Sequence, residues 1–132
     1  MTRTLAFILA LLPALAPAVR AGDKLSPDQF KAICAVAQDQ DHTTVGLAYE
    51  DRISEAINGA MRDALKSCAA HATPPLDIDI VLIISAEGKV EEAIPDPTEP
   101  ISACVAGKLS RERFPAPPRP DWKQLINIHI KD

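Results

Sequence analysis

Three cysteines have the most distinctive chemistry among the side chains of this 132-residue chain. Cys34, Cys68 and Cys104 allow three different single disulfides, each of which leaves one thiol unpaired. None of them belongs to a Cys-x-x-Cys motif, the spacing typical of thiol oxidoreductases. Cys34 falls on the apolar stripe of a predicted helix, where a cysteine usually packs as a small hydrophobic residue. The alternative is a small exported thiol protein or enzyme that acts through Cys34.

Histidines and paired carboxylates are the other groups that could bind a metal ion or transfer protons. His42, His71 and His129 are far apart in sequence, and none has a second ligand at helical or hairpin spacing. Asp77 and Asp79 share one strand face, where acids are typical of a solvated surface that discourages aggregation. The sequence also lacks a Ser/His/Asp order, a Gly-rich phosphate loop and a basic aromatic groove. We therefore predict no catalytic residues, no metal and no cofactor.

The charge balance argues against two classes of partner. The chain has 14 basic and 18 acidic residues, a net charge of −4, and no run of lysine or arginine. Nucleic acids and anionic lipids both require clustered cations. Neither is predicted as the main partner, and the acidic surface is typical of a soluble exported domain.

The N-terminus has the features of an export signal. Arg3 precedes an apolar run over Leu5–Leu12, and Val19–Ala21 provides a cleavage site. The apolar run is far shorter than the roughly 20 residues that span a bilayer. We predict a signal peptide over 1–21, cleaved after Ala21, with a retained N-terminal anchor as the alternative. Cleavage removes two arginines and no acid, so the expected net charge of the mature chain is −6. The mature protein is expected to be periplasmic or secreted and to have no membrane span.

Leu76–Ser85 predicts the central β-strand. Its apolar residues recur at every second position, the period of a strand with one buried face: Leu76, Ile78, Ile80, Leu82 and Ile84. The opposite face begins with acids and becomes apolar at Val81 and Ile83, which predicts cover on both sides at the strand's end. Glu87-Gly88 indicates a turn, and a returning strand over 89–95 completes a hairpin.

Helical periodicity predicts three further elements. Ser26 and Gln29 form a capping-box pattern that starts a helix over 27–38, followed by a polar connection. The i, i+3, i+4 rhythm predicts a longer helix from about 49 to 70 and a third over 99–111. The helix side of the core is expected to consist of Met61, Leu65, Val105 and Leu109.

The C-terminal part predicts a last strand. Phe114–Pro120 is too rich in proline for a helix or a central strand and is an extended connection. Residues 122–131 alternate between apolar and polar side chains, which is typical of a strand that faces water on one side. The core residues expected from this strand are Trp122, Ile126, Ile128 and Ile130.

Residues from about 50 to 132 resemble the C-terminal domain of TonB-type energy transducers and the related AgmX/PglI-type domain. The resemblance consists of a cysteine that ends a helix (Cys68), a hairpin with an acidic-Gly turn, a short helix carrying Cys104-Val105, the Phe114-Pro115 pair, and a final strand. It implies a disulfide between Cys68 and Cys104, with Cys34 free and buried. In that family a membrane anchor and a long proline-rich spacer usually precede the domain, and the spacer is missing from this sequence.

The combined expectation is an α+β fold with three parts. Residues 1–21 are the signal, 22–48 contain an extra N-terminal helix, and 49–132 form the TonB-C-like domain. In that domain a three-stranded antiparallel sheet is packed on one face by two helices.

The resemblance implies a non-catalytic periplasmic binding module. A terminal strand leaves one row of backbone groups unpaired, and an extended peptide can add to it. The partner is expected to be an envelope protein or peptide, or a second copy of the chain in a homodimer. An inhibitor or an envelope structural factor is a further alternative. The residues predicted to line this edge are Lys123, Gln124, Leu125, Asn127, His129 and Lys131.

Overall fold

The computed structural model describes residues 25–72 and 75–131, so the predicted signal peptide lies outside the described residues. The elements in chain order are α1 (Pro27–Asp41), α2 (Thr44–Cys68) with a short 3-10 turn (Ala69–His71), β1 (Leu76–Ile84), β2 (Val90–Asp96), α3 (Pro100–Leu109) and β3 (Trp122–Ile130). The strand order is β2-β1-β3, and β1 pairs antiparallel with both neighbours. The predicted α+β class, antiparallel sheet and extra N-terminal helix are confirmed.

The main core lies between one face of the sheet and helices α2 and α3. The alternating isoleucines and leucine of β1 are buried there, as the period-2 pattern requires. Met61, Leu65 and Ile130 are only partly buried at its margin. Buried residues from the helices and from the connection before β3 complete it: Tyr49, Ile53, Ile57, Cys68, Ile101, Val105, Leu109 and Phe114.

Helix α1 covers the second face of the sheet. Val81 points away from the main core, yet it is 0% exposed. Helix α1 packs against β3 and buries Phe30 and Ala37. The negative charges of Asp79 and Asp96 raise the pKa of the Cys34 thiol in α1, and Asp79 shares the strand face of Val81. The sheet is thus covered on both faces near its centre.

Helices α1 and α2 are both longer than the periodicity predicts. Helix α1 runs to Asp41, and α2 already begins at Thr44, within residues expected to be a connection. The Thr43 side chain caps α2 by accepting the Gly46 N–H at 3.0 Å. Polar residues and Gly46 lower helix propensity here, so the helical rhythm is hidden until Tyr49. The strands and α3 agree with their predicted ranges to within two residues.

The β1–β2 turn is joined to the proline-rich connection. Gly88 has φ +88°, and its carbonyl accepts the Phe114 N–H at 2.8 Å. Lys89 and Arg113 form an isolated β-bridge beside it. The next carbonyl, that of Pro115, accepts the Tyr49 hydroxyl at 2.9 Å. These contacts fix the connection across the hairpin and lead the chain to β3.

Candidate functional site

The candidate binding surface is the outer edge of β3. β1 pairs with β3 on one side along its whole length, from Leu76↔Ile130 to Ile84↔Trp122. Across the described ranges no strand pairs with the other side of β3. That side therefore presents backbone donors and acceptors in the row that an added strand would use.

One hydrogen bond shows which amides of β3 point outward. The backbone N–H of Lys123 donates to Oε1 of Gln40, at 3.3 Å, instead of pairing with β1. Backbone groups in an antiparallel pair alternate between facing the partner and facing away. The outward amides of β3 are therefore those of Lys123, Leu125, Asn127 and His129.

The side chains of these residues become more exposed toward the end of the strand. Lys123 and Leu125 are half-buried, whereas Asn127, His129 and Lys131 are exposed. The Asn127 amide group donates to Asp79 across the sheet. Nδ1 of His129 lies 2.7 Å from the carboxylate of Asp77. The second half of β3 thus offers polar side chains that are held in place by β1.

Gln124 differs from the other predicted edge residues because its side chain lies in the interior. It is 1% exposed, and its Nε2 donates to both carboxylate oxygens of Glu50, at 3.1 and 2.9 Å. Its Oε1 accepts from the indole Nε1 of Trp122 at 3.4 Å. Gln124 therefore fixes β3 to helix α2 and offers no side-chain contact to a partner.

An aromatic pair, which the sequence reading did not identify as a unit, supports the start of β3. The rings of Tyr49 and Trp122 meet edge to face, 5.3 Å apart. The guanidinium groups of Arg52 and Arg119 lie over Tyr49 and Trp122 at 5.5 and 5.6 Å. Burial, opposed by Arg52 and assisted by Glu50, raises the pKa of Tyr49 to about 12. The hydroxyl stays protonated and donates to the Pro115 carbonyl.

Both aromatic residues are nevertheless conspicuous in the sequence. They are the single tyrosine and the single tryptophan of the chain. Large aromatic side chains with a polar atom usually find a hydrogen-bond partner when buried. The sequence therefore marks both residues as candidates for burial, but it does not show that they contact each other, because they are distant in sequence.

The disulfide connects the end of α2 to α3. Cys68 and Cys104 are bonded, with their Cα atoms 5.8 Å apart. This is the pairing that the family resemblance implies. Cys34 in α1 is the free cysteine of the described chain, and it is half-buried rather than fully buried as expected.

The surroundings of Cys34 favour the protonated thiol. Burial is the main cause that raises its pKa, and the negative charges of Asp79 and Asp96 raise it further. Nucleophilic cysteines depend on the opposite arrangement, a lowered pKa beside positive charge. The geometry thus gives the Cys34 thiol no chemical activation.

Native Cys34 is expected to react slowly with iodoacetamide at neutral pH. Its rate should rise only above the pH at which an ordinary cysteine ionises, because the thiolate is the reactive species. Asp79→Asn and Asp96→Asn should each move the midpoint of the rate profile to lower pH. Mass spectrometry of the labelled protein measures the rate. Rapid labelling at neutral pH would instead support the thiol-protein alternative.

Asp41, in the last turn of α1, is in an unfavourable position. Its Oδ1 is buried and accepts no hydrogen bond from any described residue. Burial and the nearby charge of Glu50 raise the pKa of Asp41, with an opposing contribution from His42. The helix dipole also disfavours a negative charge at this end, where the turn contains no basic residue.

We expect Asp41→Asn to raise the melting temperature by a few degrees at pH 7. Because the pKa of Asp41 is raised in the folded state, the ionised carboxylate lowers the free energy of unfolding. This loss develops as the pH rises from the pKa of Asp41 in the unfolded chain to its pKa in the folded protein. The gain should therefore vanish at about pH 3, where Asp41 is protonated in both states. Thermal denaturation at the two pH values measures it. Asp39→Asn, an exposed change in the same helix, is the control. An equal gain at both pH values would disprove the electrostatic cause.

The described residues include no group of three or more histidine, cysteine, aspartate or glutamate side chains that could hold a metal ion. Within the same residues, every helix is too short or too polar to cross a membrane.

No protein-family model, curated protein or solved structure gives a significant match to this chain.

Proposed function

We propose that this protein is an exported, non-catalytic binding module, similar to a free-standing TonB C-terminal domain, that binds an extended segment of an envelope protein along β3. The observation that carries the proposal is the row of outward amides of Leu125, Asn127 and His129 beside exposed side chains. Backbone pairing would supply the affinity, and alternate side chains of the partner would supply specificity.

The disulfide supports the exported location. Structural disulfides persist in oxidising compartments and are rare in the cytosol. The Cys68–Cys104 bond therefore agrees with the export signal that the first 21 residues predict. The disulfide and the predicted export signal together support a periplasmic or secreted site of action.

The charges on β3 disfavour one arrangement of two copies of the chain, the one centred on Asn127. Two copies related by a two-fold axis at Asn127 would pair their β3 strands antiparallel. This pairing places Lys123 of each copy opposite Lys131 of the other. Directly opposed like charges destabilise cross-strand pairs. A partner strand that offers acidic or neutral side chains at these positions avoids that cost.

Site-specific photo-crosslinking in the exported fraction of source cells tests the proposal. Asn127 or His129 is replaced by p-benzoylphenylalanine, and Glu91 in the other edge strand, β2, is replaced in the control. We expect a defined adduct from the β3 positions and little from β2. The captured segment is then synthesised and added to the protein.

The decisive measurement is amide hydrogen exchange with the synthetic segment bound. Strand addition should slow exchange at Leu125, Asn127 and His129. Equal adducts from both edges would contradict the proposal, as would protection that leaves the β3 amides unchanged.

A further inference from the structure

The side chain of Gln40 occupies one position of the β3 edge. Gln40 lies in the last turns of α1, and it is 5% exposed. Its Oε1 accepts the outward N–H of Lys123 at 3.3 Å. A carbonyl oxygen of an added strand would bind that N–H in the same way. Gln40 thus satisfies, from within the chain, the first outward donor of β3.

The placement of Gln40 is fixed by the joint between α1 and α2. The main-chain carbonyl of Gln40 accepts the Thr43 hydroxyl at 2.7 Å and the Thr43 N–H at 3.2 Å. Gly46 lies so close that a Cβ there would fall 1.9 Å from the same carbonyl oxygen. The hydrogen bonds from Thr43 and the close approach of Gly46 leave the backbone of Gln40 little conformational freedom. Its side chain is held against β3 by burial and by the hydrogen bond from the Lys123 N–H.

We propose that Gln40 is the specificity-determining residue that sets where an added strand begins on β3. This inference rests on the proposed function of the edge. Gln40 closes the position of Lys123 and leaves the outward amides of Leu125, Asn127 and His129 open. A partner strand pairs with these three positions, and it reaches Lys123 only where Gln40 is displaced.

The consequence for recognition is a fixed register. A strand that slips by two residues toward Lys123 loses a backbone hydrogen bond, because Gln40 already holds that donor. A slip in the other direction runs past His129 and the end of β3. The side chains of the partner consequently meet defined neighbours among Leu125, Asn127 and His129.

The first test is amide exchange at Lys123 in the free protein. Gln40→Met keeps the side-chain volume but removes the acceptor, and Gln38→Met, at an exposed position of the same helix, is the matched control. We expect the Lys123 amide to exchange about tenfold faster in Gln40→Met, because without the hydrogen bond to Gln40 a smaller local opening exposes the amide to solvent. In Gln38→Met the exchange rate of Lys123 should be unchanged. Unchanged exchange in Gln40→Met would overturn the proposal.

The second test uses a synthetic probe, eight alternating threonine and valine residues with a glutamate at each end. In the natural protein it should protect Leu125, Asn127 and His129 without contacting the Lys123 amide. In Gln40→Ala, which removes the side chain as well as the acceptor from the position beside Lys123, the protected row should extend to Lys123, and the probe should bind several-fold more tightly. A protected row and affinity that are the same in both proteins would overturn the role of Gln40 and leave strand addition standing. Failure of the probe and of the photo-captured segment to protect any β3 amide would overturn both proposals, whatever the exchange of free Lys123.

Discussion

Replacing Cys68 by alanine is expected to lower the free energy of unfolding by about 4 kcal/mol. The bridge closes a loop with a sequence separation of 36 residues, and the loss follows from the entropy that this constraint removes from the unfolded chain. A domain of this size has a total stability of roughly 5–15 kcal/mol. The bond therefore carries a large share of it, and the melting temperature should fall by roughly 15 °C or more.

The coupling between the two cysteines provides the control for this prediction. Cys104→Ala should cost about as much as Cys68→Ala, and the double variant should lose little more than either, because one change already abolishes the bond. Cys34→Ala should cost less, as a small truncation of a half-buried side chain. Thermal denaturation measures the losses, and non-reducing peptide mapping identifies the bond. Additive losses, or a peptide linked through Cys34, would contradict the assignment.

Gly88→Ala is expected to destabilise the protein by about 2–4 kcal/mol. Gly88 has φ +88°, a conformation that strains any residue with a Cβ. A Cβ there would also lie 1.9 Å from the Phe114 carbonyl oxygen. Alanine would therefore push the connection away from the hairpin and weaken the bond between Tyr49 and Pro115.

Gly59→Ala is the matched control for the hairpin glycine. Gly59 lies inside α2, and a Cβ there would meet no atom within 4 Å. Alanine should stabilise this helix by about 0.5–1 kcal/mol. Chemical denaturation of both variants measures the opposite signs. If Gly88→Ala left the free energy of unfolding unchanged, the proline-rich connection would not be tightly packed on the turn.

The fold could be predicted from the sequence where the pattern is local. The alternating isoleucines of β1 fix its buried face, and Ser26 with Gln29 marks the start of α1 by a capping box that the structure contains. The predicted start of α2 lies about five residues after the observed one. Its cap, Thr43, lies within a polar tract, and Gly46 is required there by a neighbouring carbonyl rather than by helix propensity.

The candidate site could be predicted only in part, because its contacts are long-range. The alternation over 122–131 indicates an exposed strand face, and it correctly separates Asn127 and His129 from the buried isoleucines. The same alternation does not reveal that Gln124 pairs with Glu50. Nor does it reveal that Gln40, 83 residues earlier, reaches Lys123. Both contacts depend on how α1 and α2 pack, which no local period encodes.

The position of β1 at the centre of the sheet has a consequence for the order of folding. Synthesis proceeds from the N-terminus, so β2 is available to pair with β1 long before β3 has been made. During that interval the other edge of β1, rich in isoleucine and valine, is an unpaired template for aggregation. A nascent chain in which β3 has not yet emerged therefore exposes this edge of β1 to pairing with other chains. Truncation within β3 should yield insoluble protein rather than a smaller soluble domain.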